Sequence, residues 1–338
     1  MEEATQKGYY LAGYLSYEAG YAFEEKLIEK DRFEFPLLSF GVYPSPSPAP
    51  IPTNPCSFIP IPSPPFNLSP EEYYAKIDSI REYIAAGETY QITFCVKKKF
   101  GFSGDPYALY NKLLNFQPVP YPAFLSHPQF SILSLSPEMF LKKNGRSITV
   151  KPMKGTMDRS LGMLNSLFGG IRLKHDTKNR AENVMIADLL RNDLGRICKM
   201  GTVDTLKLFE VARYKTLYQM TSTIRGELFD PALPYYTIFK ALFPSGSVTG
   251  APKIRSMQII RELEGEERKI YTGAIGYITP QRDMFFNVPI RTILLTPDSQ
   301  LPTHQGEMGI GGGITYYSTP QGEYEECLTK SRFLEIIT

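Results

Sequence analysis

The sequence predicts an α+β fold with mainly antiparallel sheets. Three observations carry this expectation. Short runs rich in apolar residues recur at 123–126, 130–136, 139–143 and 147–153. Asn144-Gly145, between the last two runs, is a hairpin signal. Helical patterns are interspersed without the regular strand–helix alternation of a parallel sheet.

Taken in order, residues 8–17, "GYYLAGYLSY", read as a strand. Residues 43–65 are dense in proline, which fixes φ and lacks an N–H, so they form neither a central strand nor a helix. Three parts are therefore expected: an N-terminal strand region at 1–43 packing on the same fold, a proline-rich connection at 44–68, and a main body at 69–338. Ser69, Pro70 and Glu72 make a capping box, and Tyr73, Ile77, Ile80 and Ile84 recur at helical spacing before Gly87. An alternating strand follows from Tyr90, and Asp105-Pro106 opens a second helix. Further helices are expected from about Asn179 to Leu194, from Ala251 to Leu263 and from Gly322 onward, with strands at 271–279 and 284–295.

The bulk properties exclude several classes. A net charge of +2 gives no reason to expect nucleic acid as a partner. Four scattered cysteines and three histidines lack the spacing of a zinc site, and a reducing cytoplasm fits them. The polar start shows no signal peptide, and no apolar run approaches the roughly 20 residues that cross a membrane.

Several residues then stand out. In "ITVKPMKGTMDRS", Lys154 sits between Met153 and Gly155, as either a solvated charge or a group held in a site. The hairpin pairs Lys143 with Arg146, which carries Glu138 opposite Lys151 and near Lys154. Strict alternation points Glu138 and Lys154 to opposite faces, and a bulge near Pro152 would bring them together. For a lone Lys–Glu pair, a cross-strand ion pair on a wet surface is the favoured explanation, and the hairpin alone does not settle it. Glu182 shares a helical face with Met185, Ile186 and Leu189, and an inward carboxylate needs a cation, from an arginine or a metal. In "EYEECLTK", Glu323, Glu326 and Lys330 form one stripe. Two adjacent carboxylates repel unless a cation lies between them, and glutamates on two helices would suit Mg²⁺, although solvated charge is the commoner explanation. Two glycine-rich loops complete the set. "PSGSVTGAPK" is not a Walker loop, whereas "GIGGGI" presents the amides of Gly311, Gly312 and Gly313 to a carboxylate unless it is a mere turn. Arg291 could clamp a second carboxylate. Together these residues describe a site for a small dianionic acid.

The segments "AENVMIADLLRNDLGRI", "PSGSVTGAPKIRSMQII", "TGAIGYI", "IRT", "GGGI" and "EYEECLTK" resemble the chorismate-utilising enzymes, in the family's order, over about residues 70–335. The resemblance implies two large packed antiparallel sheets with outer helices, and Mg²⁺ with chorismate at the centre. Within the family, anthranilate synthases typically carry alanine at the Lys154 position. Aminodeoxychorismate synthases carry a proline–x–lysine–glycine–threonine motif, which "PMKGT" resembles. The hydrating members carry a lysine where Gln91 stands. The resemblance therefore implies amination of chorismate toward p-aminobenzoate and folate. It assigns Lys154 as the nucleophile at ring carbon 2 and Glu138 as the general acid. It assigns Glu182, Glu323 and Glu326 to the metal. It places Thr249, Gly250, Tyr277, Arg291, Gly311, Gly312, Gly313, Lys330, Thr156 and Gln91 on the substrate. A glutamine amidotransferase subunit would supply ammonia. The runner-up activity is that of anthranilate synthase component I, and the alternative of another class is a non-catalytic scaffold. Two departures bear on the branch. Tyr218 and Gln219 stand where many relatives have histidine, and Asn179 replaces an acidic residue. The N-terminal part reads as short for the family, so an incomplete tryptophan pocket and no tryptophan feedback are expected.

Overall fold

The structure is a computed structural model that describes residues 1–28, 33–48, 64–158, 163–213, 217–298, 303–332 and 334. In chain order the elements are α1 (Glu2–Gln6), β1 (Tyr10–Leu15), β2 (Leu38–Tyr43), α2 (Pro70–Ala85), β3 (Gln91–Phe102), α3 (Pro106–Phe116), β4 (Tyr121–His127), β5 (Phe130–Ser136), β6 (Met139–Asn144), β7 (Ser147–Lys151) and β8 (Met153–Asp158). There follow α4 (Met163–His175), α5 (Thr177–Gly195), β9 (Asp204–Arg213), β10 (Leu217–Glu227), α6 (Tyr235–Leu242), β11 (Gly250–Ala251), α7 (Lys253–Glu264), β12 (Ala274–Ile278), β13 (Met284–Asn287), β14 (Thr292–Pro297), β15 (His304–Ile314) and α8 (Pro320–Ser331).

The strands form a nine-stranded sheet, ordered β2-β1-β12-β13-β6-β7-β10-β8 with β9 on β10, and a six-stranded sheet, ordered β11-β3-β15-β14-β5-β4. Every pairing between named strands is antiparallel. The sheets meet through Tyr14 and Ile275 on one side and Phe130, Ile132 and Leu294 on the other, a buried aromatic and aliphatic cluster. Outside them, α2, α3, α7 and α8 seal the six-stranded sheet through residues such as Ile77, Leu109, Ile260 and Cys327. Helices α5 and α6 seal the nine-stranded sheet through Ile186, Leu190, Phe239 and Leu242. This is the layered α+β architecture expected of the sequence.

Local chemistry fixes the ends of the elements. Ser69 and Glu72 exchange the two capping-box hydrogen bonds at the start of α2. Asp105, Asp176 and Thr319 cap α3, α5 and α8 with their side-chain oxygens. In the proline-rich segment, residues 49–63 lie outside the described residues. At its end, Asn67 donates its backbone N–H to the Lys97 carbonyl.

Five sequence expectations change. The hairpin pairs Asn144 with Ser147, so its two-residue turn is Gly145-Arg146, one step later than expected. One irregularity lies in β6, between Met139 and Lys142, a second lies where Met153–Thr156 of β8 pair with β10, just past Pro152 as expected, and Met139 rather than Glu138 faces Lys151. Residues 309–314 form the end of β15 and are not a loop. The run 284–295 is two strands in different sheets, with Arg291 between them at φ +51°. The inward face of α5 is Asn183, Ile186, Ala187 and Leu190, so Glu182 stands at its edge and not in its centre.

Candidate active site

Where the sheets diverge, a cavity of about 280 Å³ opens, lined from both of them and from α5 and α8. At its inner end, Glu138 is carried by the short β5–β6 connection. Its backbone is fixed there, because its N–H donates to Ser136 Oγ and its carbonyl accepts from the Val288 N–H. The side chain is 3 % exposed, and Oε1 accepts a 2.6 Å hydrogen bond from Ser247 Oγ. Burial pushes the carboxyl up to about 7, against the pull of Ser247 and of Lys154.

Lys154 enters the same cavity from β8. Desolvation lowers its pKa, and Glu182 and Glu138 resist that shift. The backbone after it has φ +91° at Gly155, a region that glycine alone adopts freely, and a Cβ there would lie 2.9 Å from Asn179 Oδ1. The bend thus turns Lys154 inward while α5 passes close behind.

The floor is the end of β15. Thr93 and Cys95 of β3 turn their N–H groups away from β15, to the Thr249 carbonyl and the Glu264 carboxylate. Their antiparallel partners, Gly313 and Gly311, therefore turn their own N–H and C=O groups to the opposite edge. The β14 pairing ends at Met308, so that edge opens toward the cavity. Gly312, between them, spends its backbone groups on β3. Lys330 donates to the Gly311 carbonyl at 2.8 Å and pairs with Glu326 at 2.6 Å. A Cβ on Gly313 would lie 2.1 Å from Gln91 Nε2 and 3.0 Å from Lys154 Nζ, so only glycine admits both groups.

At the outer rim, Glu182, Glu323 and Glu326 converge from α5 and α8. Burial raises the first two, whereas Lys330 lowers Glu326. A would-be Cβ on Gly312 lies 3.1 Å from Glu323 Oε2 and 3.7 Å from Glu326 Oε1, so the two carboxylates share one spot. Among the described residues, no three acidic, cysteine or histidine side chains already stand as a closed metal cage. An all-oxygen donor set in a polar cavity nevertheless fits Mg²⁺, which takes one or two carboxylates and keeps water or substrate oxygens for the rest.

The structure brings Lys154, Glu138, Glu182, Glu323, Glu326, Lys330, Arg291 and Gly311–Gly313 to this cavity. It does not bring Tyr277, which lies half exposed on β12 and stacks on Phe285 at 5.9 Å beside a second cavity of about 510 Å³. Tyr277 lies within β12, whereas Tyr271 precedes that strand in the turn before Ala274 and lines the site instead. Thr249 and Gly250 are buried behind the wall, where Thr249 Oγ1 donates to the Ser245 carbonyl and Gly250 pairs with Ile92. Gln91 sits one layer back, 1 % exposed, with neither amide atom hydrogen-bonded. The Thr156 side chain lies outside the described residues. Sequence reasoning missed Ser247, Tyr271, Lys178, Asn179 and Gln219 as lining residues. The serine was legible in "PSGSVTG", but only the fold shows which of its hydroxyls meets Glu138.

Comparison with known proteins fits this geometry. The model of the chorismate binding enzyme family matches residues 55–335. The chain is 40 % identical over 282 residues to the chloroplastic aminodeoxychorismate synthase of Arabidopsis thaliana, covering 82 % of this chain and 29 % of that protein. It is 37 % identical over 257 residues to aminodeoxychorismate synthase component 1 of Bacillus subtilis, covering 75 % and 53 %. The chain thus spans about half, or less, of the length of these relatives. Anthranilate synthase component I of Streptococcus pneumoniae superposes with a TM-score of 0.78 at 26 % identity, over 97 % of this chain and 80 % of that one. The chain belongs to the chorismate binding enzyme family.

Proposed function

We propose that this chain aminates chorismate to 4-amino-4-deoxychorismate, the reaction named in its curated relatives. The observation that carries the reading is that Lys154 and the buried Glu138 line one cavity rimmed by carboxylates. A neutral lysine attacks, and desolvation moves Lys154 toward that form. A protonated carboxyl donates, and Glu138 near 7 retains its proton through much of the neutral range. Lys154 Nζ would form a bond to ring carbon 2 while the ring double bonds shift and the C4 hydroxyl leaves as water with the Glu138 proton. Ammonia would then add at C4, the double bonds would shift back and Lys154 would depart. The Glu138 carboxylate would recover a proton from the incoming nitrogen.

Arg291, Tyr271 and the open-edge amides of Gly311 and Gly313 would hold the substrate's carboxylates, with Lys330 fixing the glycine strand. Glu182, Glu323 and Glu326 would hold Mg²⁺, which when bound supplies a fixed positive charge for a ring carboxylate. The ammonia would come from a glutamine amidotransferase subunit, in keeping with the component 1 name of one relative. Among the described residues, Cys95, Cys198 and Cys327 are buried thiols whose pKa burial raises, which suits none of them as an amidotransferase nucleophile. No described helix is long and apolar enough to cross a membrane. Free buried thiols accord with reaction in a reducing compartment such as the cytoplasm.

The test is incubation of the chain with chorismate, Mg²⁺ and ammonium chloride, with products identified by mass and by coupled conversion to p-aminobenzoate. Aminodeoxychorismate that disappears with Lys154→Ala supports the reading. Anthranilate and pyruvate would move the chain to the anthranilate branch, and untouched chorismate would favour a scaffold.

A further inference from the structure

Lys178 has no task in the chemistry above, yet it stands where the carboxylates meet. It lies in the first turn of α5, two residues after the N-cap Asp176, where a cation opposes the helix dipole. Its Nζ reaches within 3.9 Å of Glu323 Oε1 on α8. Glu182 follows four residues later on the same side of α5, and the charge of Lys178 acts on Glu182, Glu323 and Glu326 alike. The partners differ in exposure. The Lys178 side chain is 54 % exposed and that of Glu323 only 6 %. Lys330, the other rim cation, is fixed by Glu326 and by the Gly311 carbonyl. Lys178 reaches in from solvent, and its ion pair among the described residues is the long contact to Glu323.

We propose that Lys178 is a displaceable counter-ion: it balances the Glu323 carboxylate when no divalent cation is bound, withdraws to solvent when one binds, and thereby sets the affinity of the site for metal. This rests on the reading of the three glutamates as a metal site. Two cations on one carboxylate repel, so metal entry must overcome the contact that Lys178 already makes.

The experiment is calorimetric titration of the full chain with Mg²⁺, and its titration with Mn²⁺ followed by electron paramagnetic resonance, both without chorismate. Lys178→Met keeps the stem and removes the charge, and should tighten divalent binding about tenfold. Lys178→Arg should stay near the parent value. Unchanged or weaker binding in Lys178→Met overturns the proposal and leaves the metal reading standing. A raised KM for chorismate with an unchanged divalent Kd would make Lys178 a substrate clamp instead, and also overturns it. Absence of divalent binding in both folded proteins overturns the metal reading and this proposal together.

Discussion

The two ends of the cavity use the same pair of residue types and reach opposite ionisation. At the inner end, Glu138 and Lys154 are taken out of water without a close ion pair to compensate, so the acid rises to about 7 and the base falls. At the rim, Glu326 and Lys330 lie 2.6 Å apart, the carboxyl is lowered and the ammonium is raised despite its burial. Desolvation favours neutral partners and contact favours charged ones. Within one cavity, one lysine is moved toward its neutral form and the other is held charged.

Substitutions can break this contrast. The largest effect is expected at Lys154→Ala, with loss of turnover by more than about 10³-fold while chorismate still binds, measured by product mass and by equilibrium binding. Next is Glu138→Gln, with a loss of roughly 10²–10⁴-fold in kcat. The same variant sharpens the comparison through stability. The raised folded-state pKa of Glu138 contributes stability that is complete below the unfolded value near 4.5 and lost as pH rises through about 7. Denaturant titrations should therefore show Glu138→Gln gaining on the parent protein by up to about 3 kcal/mol between pH 5 and pH 8. If the two stability curves run parallel, the inner end is wetter than its geometry indicates. In the parent chain, kcat should fall above pH 7 as Glu138 ionises.

A smaller effect is expected at Arg291→Ala, about 10-fold or more in KM from a lost charged hydrogen bond, with less change in kcat. Smallest is Tyr277→Phe, within about 0.5 kcal/mol in stability and without a change in rate, whereas Tyr271→Phe should raise KM. A rate loss at Tyr277 would return that residue to the site.

These expectations show which parts of the molecule could be read from sequence. Caps and helical spacing are local, so α2 and α3 were legible from Ser69 and Asp105 onward. The site residues were legible as motifs, but their relative placement was not. Glu138 and Lys154 reach one cavity through two irregularities, one just past Pro152 that the sequence predicts and one in β6 that pairing rules alone do not show. The glycines of β15 look like a turn because glycine favours turns. In the fold they are a strand stripped of side chains so that Gln91 and Lys154 can approach. Tyr271 and Tyr277 are indistinguishable by residue type, and only the strand start at Ala274 separates them. The α4 helix escaped sequence reading although Leu164, Leu167, Phe168 and Ile171 recur at helical spacing, because Gly169-Gly170 interrupts it.

The switch at Arg291 has a mechanical consequence. Strand β13 belongs to one sheet and β14 to the other, and four residues join them. The guanidinium assigned to the substrate is therefore mounted on the hinge pin between two plates. Any loosening of the plates, for example by shrinking Tyr14 or Phe130 at their contact, should reach the ligand as a misaligned grip long before the fold melts. Substrate affinity would then decline with temperature in step with sheet-to-sheet rigidity rather than with unfolding.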